Sequence, residues 1–140
     1  MSAGKWWLAS LLLTPWAFAA WGSEVVLVVN RENPVSSLSR QEAVQIFLGK
    51  KTTWEGNGKI ELYVQLEESV NEEFIPALVN KSPRQFFLYW KRIVFSGTGL
   101  PPLQVRGDQE MKRAIAADRH GIGYIKADSL DPAVKRLELR

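Results

Sequence analysis

The strongest constraint on the fold is an unbroken aliphatic run, Val25-Val26-Leu27-Val28-Val29, which lies between Glu24 and Asn30. The branched β-carbon of valine favours strands. A strand with one face in water would alternate apolar and polar residues, whereas this run is apolar throughout. It therefore predicts a strand that is buried on both faces of a sheet.

The rest of the chain alternates between strand and helix patterns. From Lys59 to Leu66 apolar and polar residues alternate, which predicts a strand with Ile60, Leu62, Val64 and Leu66 on one face and Glu61, Tyr63 and Gln65 on the other. Shorter strands are predicted at 121–125 and 134–139. Because strands alternate with helices, we predict an α/β fold: a single small mixed β-sheet flanked by helices.

The helix starts are predicted from their capping residues. A serine followed three residues later by Glu or Gln forms a capping box, and the chain has three such pairs: Ser39–Glu42, Ser69–Glu72 and Ser82–Gln85. Asp108 is expected to cap a fourth helix. The first and third helices are expected to end at glycines, Gly49 and Gly97. Pro76 is expected to kink or divide the second helix, which is predicted over 69–80.

Residues 1–20 are predicted to form a cleavable signal peptide, and residues 21–140 a single domain. Lys5 precedes an apolar run from Trp6 to Leu13, and Ala17-Phe18-Ala19 provides a small-x-small cleavage pattern. The alternative is an uncleaved membrane anchor. That alternative is disfavoured because the run is broken by Pro15 and is shorter than the roughly 20 residues of a spanning helix. We therefore predict export without stable membrane insertion.

Composition excludes several classes of function. The chain has no cysteine, which rules out disulfides and thiol catalysis and, in an exported protein, favours the bacterial periplasm. A net charge of +3 is too diffuse to indicate nucleic acid. The single histidine, His120, lacks the partners of a metal site. No nucleophile elbow or acid–base pair is found, so we predict a non-enzyme without a cofactor.

Anion binding is the chemistry that the residues favour, because helix starts offer unpaired N–H groups. One candidate is Ser69, at a strand-to-helix turn, although capping alone would explain it and Glu67 and Glu68 would repel an anion. The other is the loop Ser96-Gly97-Thr98-Gly99, with Arg106 following it. There the alternative is a glycine-rich helix stop.

Three large aromatic residues next to loops are Trp54, Trp90 and Phe95. Side chains of this size usually pack inside a protein, and we expect all three in the core. The alternative is a patch for a ligand or partner. Trp54 is expected in a polar loop over 53–58.

Leu38-Ser39-Arg40-Gln41-Glu42 runs into Ile46-Phe47-Leu48-Gly49-Lys50 and then Thr53-Trp54, and Gly121-Ile122-Gly123-Tyr124-Ile125 comes near the end. In this combination the chain resembles phosphate-type periplasmic binding proteins of ABC importers. The resemblance implies one lobe, the second, of a two-lobed fold. It places an R-x-x-x-S-G-T oxyanion motif where this chain has Gln65-Leu66-Glu67-Glu68-Ser69-Val70-Asn71, and only the serine matches.

The resemblance implies Ser69 and Asn71 as positional candidates for ligand contact. Ser96, Thr98 and Arg106 are candidates from local chemistry alone. We expect a periplasmic solute-binding protein that takes phosphate or another oxyanion, with an ABC permease as partner. The alternative is a ligand-free interaction or sensor module that docks on an envelope protein, which the missing arginine and missing first lobe favour.

Overall fold

The computed structural model describes residues 24–56 and 58–140. The predicted signal peptide lies outside the described residues. The strands are Val25–Val29 (β1), Ser37–Leu38 (β2), Thr53–Trp54 (β3), Gly58–Lys59 (β4), Glu61–Gln65 (β5), Leu103–Val105 (β6), Gly121–Lys126 (β7) and Lys135–Leu139 (β8). The helices are Arg40–Phe47 (α1), Glu68–Val79 (α2), Pro83–Phe95 (α3) and Asp108–Ala116 (α4). Among the described residues, no helix has the length and apolar character needed to cross a membrane.

Six strands form one mixed sheet in the order β2-β8-β1-β7-β5-β6. The central strand β1 is antiparallel to both β7 and β8. In contrast, β5 is parallel to β7 on one side and to β6 on the other. Because β5, β6 and β7 run in the same direction, their carboxyl ends meet at one edge of the sheet.

Helices cover both faces of this sheet. Residues of α1, α2 and α3 form one hydrophobic core with Leu27 and Val29 of β1. Met111 and Ile115 of α4 form a second core with Val26 and Val28 on the opposite face. The aliphatic run is therefore buried on both faces, as predicted, and the mixed sheet flanked by helices is confirmed.

Two of the predicted capping boxes are present. At the start of α1 the Ser39 hydroxyl accepts the Glu42 N–H at 3.1 Å, and the Glu42 carboxylate accepts the Ser39 N–H. At the start of α3, Ser82 and Gln85 exchange the same pair of bonds, with Pro83 as the first helical residue. Caps of this kind contribute about 1 kcal/mol each.

The other two predicted caps are wrong. The residue that precedes α2 is Glu67, because the Asn71 N–H donates to the Glu67 carbonyl, and Ser69 lies inside the first turn with its hydroxyl on the Glu67 carboxylate. The residue that precedes α4 is Gly107, and Asp108 is already helical. Neither start has a side-chain cap among the described residues. Of the two effects expected of Pro76, a kink or a division, the division does not occur, since α2 runs through the proline.

Three further expectations need correction. Gln65, expected on the polar face of its strand, is fully buried, whereas Leu66 is 51% exposed because β5 ends before it. The loop around Trp54 contains the paired two-residue strands β3 and β4. Trp54 and Trp90 are buried as expected, but Phe95, the last residue of α3, is 95% exposed.

Candidate functional site

A cleft of about 400 Å³ lies at the edge where the parallel strands end, and we call it the strand-end cleft. Gln65 and Lys126 are the last residues of β5 and β7, and Arg106 follows β6. Helices α2 and α4 both begin at this edge. The lining residues are Gln65, Glu67, Val70, Arg106, Gly107, Asp108, Gln109, Glu110, Arg113 and Lys126.

Both helix starts leave backbone donors available at the strand-end cleft. In α4 the first helical hydrogen bond runs from the Met111 N–H to the Gly107 carbonyl at 2.8 Å. The three N–H groups before Met111 therefore have no partner within the helix, and those before Asn71 in α2 are in the same situation. Helix starts carry about half a positive charge, so two of them at one edge favour an anion.

The strand-end cleft is lined by as many acidic as basic side chains, but the two kinds differ in their hydrogen bonds and ion pairs. Arg106, Arg113 and Lys126 form no ion pair with a described residue. Among the acids, Glu110 accepts the Arg106 backbone N–H at 3.2 Å. Asp108 accepts the Lys126 N–H at 3.2 Å and the Ser129 hydroxyl at 2.6 Å. The acids are thus used by local donors, whereas the cationic groups remain available.

A buried polar network holds the cleft floor in place. The Gln65 side-chain amide donates to Asp108 Oδ1 and to the Tyr124 carbonyl, each at 2.7 Å. The Asn71 amide donates to the Gln65 carbonyl at 2.8 Å, and the Tyr124 hydroxyl donates to Asn71 Oδ1. Burial raises the pKa of the Tyr124 hydroxyl well above its ordinary value, so it stays protonated and able to donate.

One atom of this network is left over. Gln65 Oε1 is buried and has no hydrogen-bond partner among the described residues. The amide orientation is fixed, since Nε2 faces two acceptors and could not be exchanged with the oxygen. A buried acceptor without a donor is costly, so Gln65 Oε1 is an exception to the otherwise satisfied network.

The sequence candidates fall into three groups. Arg106 lines the strand-end cleft. Ser69 is exposed in the first turn of α2, and Asn71 is buried in the network below. Ser96 and Thr98 lie beyond the carboxyl end of α3, where the Ser96 hydroxyl donates to the Ile93 carbonyl at 2.9 Å and the Thr98 hydroxyl donates to the Ser96 oxygen at 2.8 Å. The structure therefore brings Arg106 to the α2 start and keeps the Ser96–Thr98 loop apart from it.

Sequence reasoning missed Gln65, Lys126 and Arg113. The signal that could have found them is their position near the ends of predicted strands and at a helix start. In sheets with helices on both faces, ligands bind beyond the carboxyl ends of parallel strands. No group of three or more His, Asp or Glu residues suited to a metal occurs in the part of the chain that the structure describes. His120 is exposed, and its backbone N–H donates to Asp118.

No protein-family model and no curated protein matches the chain. Solved structures do match it. An ABC-type phosphate transport receptor from Vibrio cholerae aligns with a TM-score of 0.62 at 23% identity, over 82% of this chain and 45% of that one. The chain has the fold of one lobe of a phosphate-type periplasmic binding protein.

Other structures agree with this single-lobe fold. A phosphate-binding protein from Stenotrophomonas maltophilia aligns with a TM-score of 0.61 at 19% identity, covering 82% of this chain and 38% of its own. A high-affinity periplasmic phosphate-binding protein bound with phosphate aligns with a TM-score of 0.55 at 24% identity, covering 84% and 37%. The chain thus spans less than half of each neighbour, and these neighbours are binding proteins rather than enzymes.

Proposed function

We propose that this protein is a periplasmic solute-binding protein that binds phosphate in the strand-end cleft and acts without catalysis. The observation that carries the proposal is the convergence of two uncapped helix starts beside Arg106, Arg113 and Lys126 at the ends of three parallel strands. Backbone N–H groups and unpaired cations are the donors that oxyanions use. The phosphate-binding structural neighbours and the predicted signal peptide support transport as the setting, with an ABC permease as partner.

The cleft fits a protonated oxyanion better than a fully ionised one. Glu67, Asp108 and Glu110 line it, and their charge opposes an anion. Phosphate at neutral pH retains at least one proton, which it can donate to one of these carboxylates. Sulfate has no such proton, so the carboxylates would oppose its charge without a compensating hydrogen bond. We therefore expect phosphate to bind more tightly than sulfate.

Three of the sequence candidates have roles in this proposal. Arg106 would contact the phosphate directly. Ser69, exposed in the first turn of α2, would offer its hydroxyl from the rim. Asn71 is a positioning residue, because its amide groups are taken up by Gln65 and Tyr124. Ser96 and Thr98 are left out because their hydroxyls are bound at a helix end whose partial charge is negative.

Isothermal titration of the signal-cleaved protein with phosphate and with sulfate tests the proposal. We expect a micromolar Kd for phosphate, corresponding to roughly −8 kcal/mol, and weaker binding of sulfate. Arg106→Met should weaken phosphate binding about tenfold or more, because a hydrogen bond to a charged group is lost. Arg92→Met is the matched control, since Arg92 lies in the last turn of α3 and not in the cleft. No heat up to millimolar phosphate from the folded protein would contradict the proposal.

The second candidate is an interaction or sensor module without a small ligand that docks on an envelope protein. The acids of the strand-end cleft favour it, because Glu67, Asp108 and Glu110 line the cleft and their charge opposes an anion. A protein that is folded but silent toward phosphate, sulfate and molybdate would favour this candidate over transport.

A further inference from the structure

A second and larger depression lies at the opposite end of β5. It has a volume of about 640 Å³ and is built between the start of β5, the end of α1, α3 and the segment that leads into β6. Ile60 and Leu62 line it from the sheet and Ile93 from α3. Lys50, Lys51 and Lys59 also line it, and we call it the lysine-rimmed groove. No residue that lines the strand-end cleft lines this groove.

The aromatic wall of the groove presents only apolar surface to a ligand, because its polar atoms are already hydrogen-bonded. The Trp90 indole N–H donates to the Phe47 carbonyl at 3.0 Å, and the Tyr89 hydroxyl donates to the Leu48 carbonyl at 2.6 Å. Both polar atoms are therefore occupied by the end of α1. A Cβ at Gly49 would lie 2.5 Å from the Trp90 ring, so this close contact between α1 and α3 depends on glycine.

The segment before β6 leaves apolar side chains in water beside the groove. Leu100 is 71% exposed and Leu103 is 44% exposed, and both line the groove together with Pro101 and Pro102. Exposed apolar side chains that are grouped around a concavity are typical of binding sites. Covering them would remove apolar area from water, which favours binding.

The charged residues of the groove determine which sign of charge a ligand should carry. Lys51 is paired with Glu42 at 3.1 Å. Lys50 and Lys59 are exposed and form no ion pair with a described residue. Glu61 is the only acid among the residues that line the groove, so positive charge is in excess there. An anionic group at the rim would be favoured.

We propose that the lysine-rimmed groove binds a small amphipathic carboxylate, an unbranched aliphatic acid of medium chain length. The carboxylate lies at Lys50 and Lys59, and the chain lies on Ile60, Ile93 and Leu100. The volume falls within the range of roughly 300–1,000 Å³ that is typical of small-molecule sites, which are mostly apolar with few polar groups. The site is independent of the strand-end cleft, because the two lie at opposite ends of one strand.

Titration of the signal-cleaved protein with laurate, below its micelle-forming concentration, tests the proposal by calorimetry and by tryptophan fluorescence, since Trp90 lines the groove. We expect saturable binding of laurate and no binding of acetate. The double variant Lys50→Met, Lys59→Met should weaken binding about tenfold, because two exposed charge pairs are lost. Leu100→Ser should weaken it about threefold. Arg84→Met, at the other end of α3, is the matched control and should leave the Kd within twofold.

Several outcomes would overturn the proposal. Laurate that does not saturate, or that binds the double lysine variant as tightly as the parent, would do so. Laurate that is displaced by phosphate would place its carboxylate in the strand-end cleft instead. A dimer in light scattering that Leu100→Ser converts to a monomer would identify a second copy of the chain as the occupant of the groove.

Discussion

Helices α1 and α3 begin differently from α2 and α4. The first two start with a serine whose hydroxyl accepts a backbone N–H of the first turn, and the residue three positions later returns a bond. The other two start at Glu67 and Gly107 without a side-chain cap among the described residues. The uncapped starts are the ones that border the strand-end cleft.

Helices α2 and α4 lack the stabilisation that a side-chain cap provides, and they lack it at the edge where a bound anion could provide it instead. An uncapped start leaves backbone donors for an anion, whereas a capped start uses one of them internally. Helices α2 and α4 are instead held from below, by Asn71 and Asp108. Departures from local sequence rules are expected to concentrate at functional sites, and here they occur at one edge of the sheet.

The largest effect on stability is expected from removing the buried hydrogen bonds of Asn71, which hold α2 to the sheet. Asn71→Leu removes the amide that donates to the Gln65 carbonyl and the oxygen that accepts from Tyr124. Asn71 is only 4% exposed, so the partners left behind cannot bond to water. We expect a loss of about 2–3 kcal/mol in the free energy of unfolding, measured by urea denaturation.

Glu72→Gln, at the exposed position next in the same helix, is the control for Asn71→Leu and should change stability by less than about 0.5 kcal/mol. Equal losses for the two variants would mean that the buried network does not hold α2.

The same comparison shows what could be predicted from the sequence. The caps of α1 and α3 depend on residues three positions apart, so the motif itself contains the information. Strand β1 is similar, because an uninterrupted aliphatic run is unfavourable unless both faces are covered. Ser69 has the same spacing to Glu72, yet the helix begins earlier and the motif goes unused.

The strand-end cleft could not be assembled from local patterns. Its residues follow three strands that are far apart in the chain, and they meet only because β5 lies between β7 and β6 in the sheet. Alternation places Gln65 on the polar face of β5, but it does not reveal that α4 covers that face and that Asp108 binds the Gln65 amide. Strand order, which a single sequence does not display, decides both outcomes.

An intermediate effect is expected from removing hydroxyls at matched positions. Ser82→Ala deletes a cap and should lower the free energy of unfolding by about 1 kcal/mol. Ser69→Ala deletes only a bond between exposed groups, at 3.3 Å, and should cost less than about 0.5 kcal/mol. Thermal unfolding of both variants measures the difference. If Ser69→Ala were the more damaging change, α2 would be capped by its serine after all.

The smallest expected effect is a difference between the capping boxes of α1 and α3 in how their contribution to stability depends on pH. A hydrogen bond from Lys51, together with bonds from Ser39, lowers the pKa of the Glu42 carboxyl in the folded protein. Its contribution to stability is therefore present above the pKa of the unfolded chain and is lost as the pH falls through the folded pKa. Glu42→Gln should thus be less stable than the parent at pH 7, with a gap that narrows below about pH 4.

At α3 the equivalent position is Gln85, which carries no charge. The stability gap between Gln85→Ala and the parent should therefore stay constant over the same pH range, measured by urea denaturation at each pH. A Glu42→Gln gap that also stays constant would show that the capping box of α1 acts through shape and neutral hydrogen bonds. The two capped starts would then be equivalent, and the contrast with the uncapped starts at the cleft would concern hydrogen bonding rather than charge.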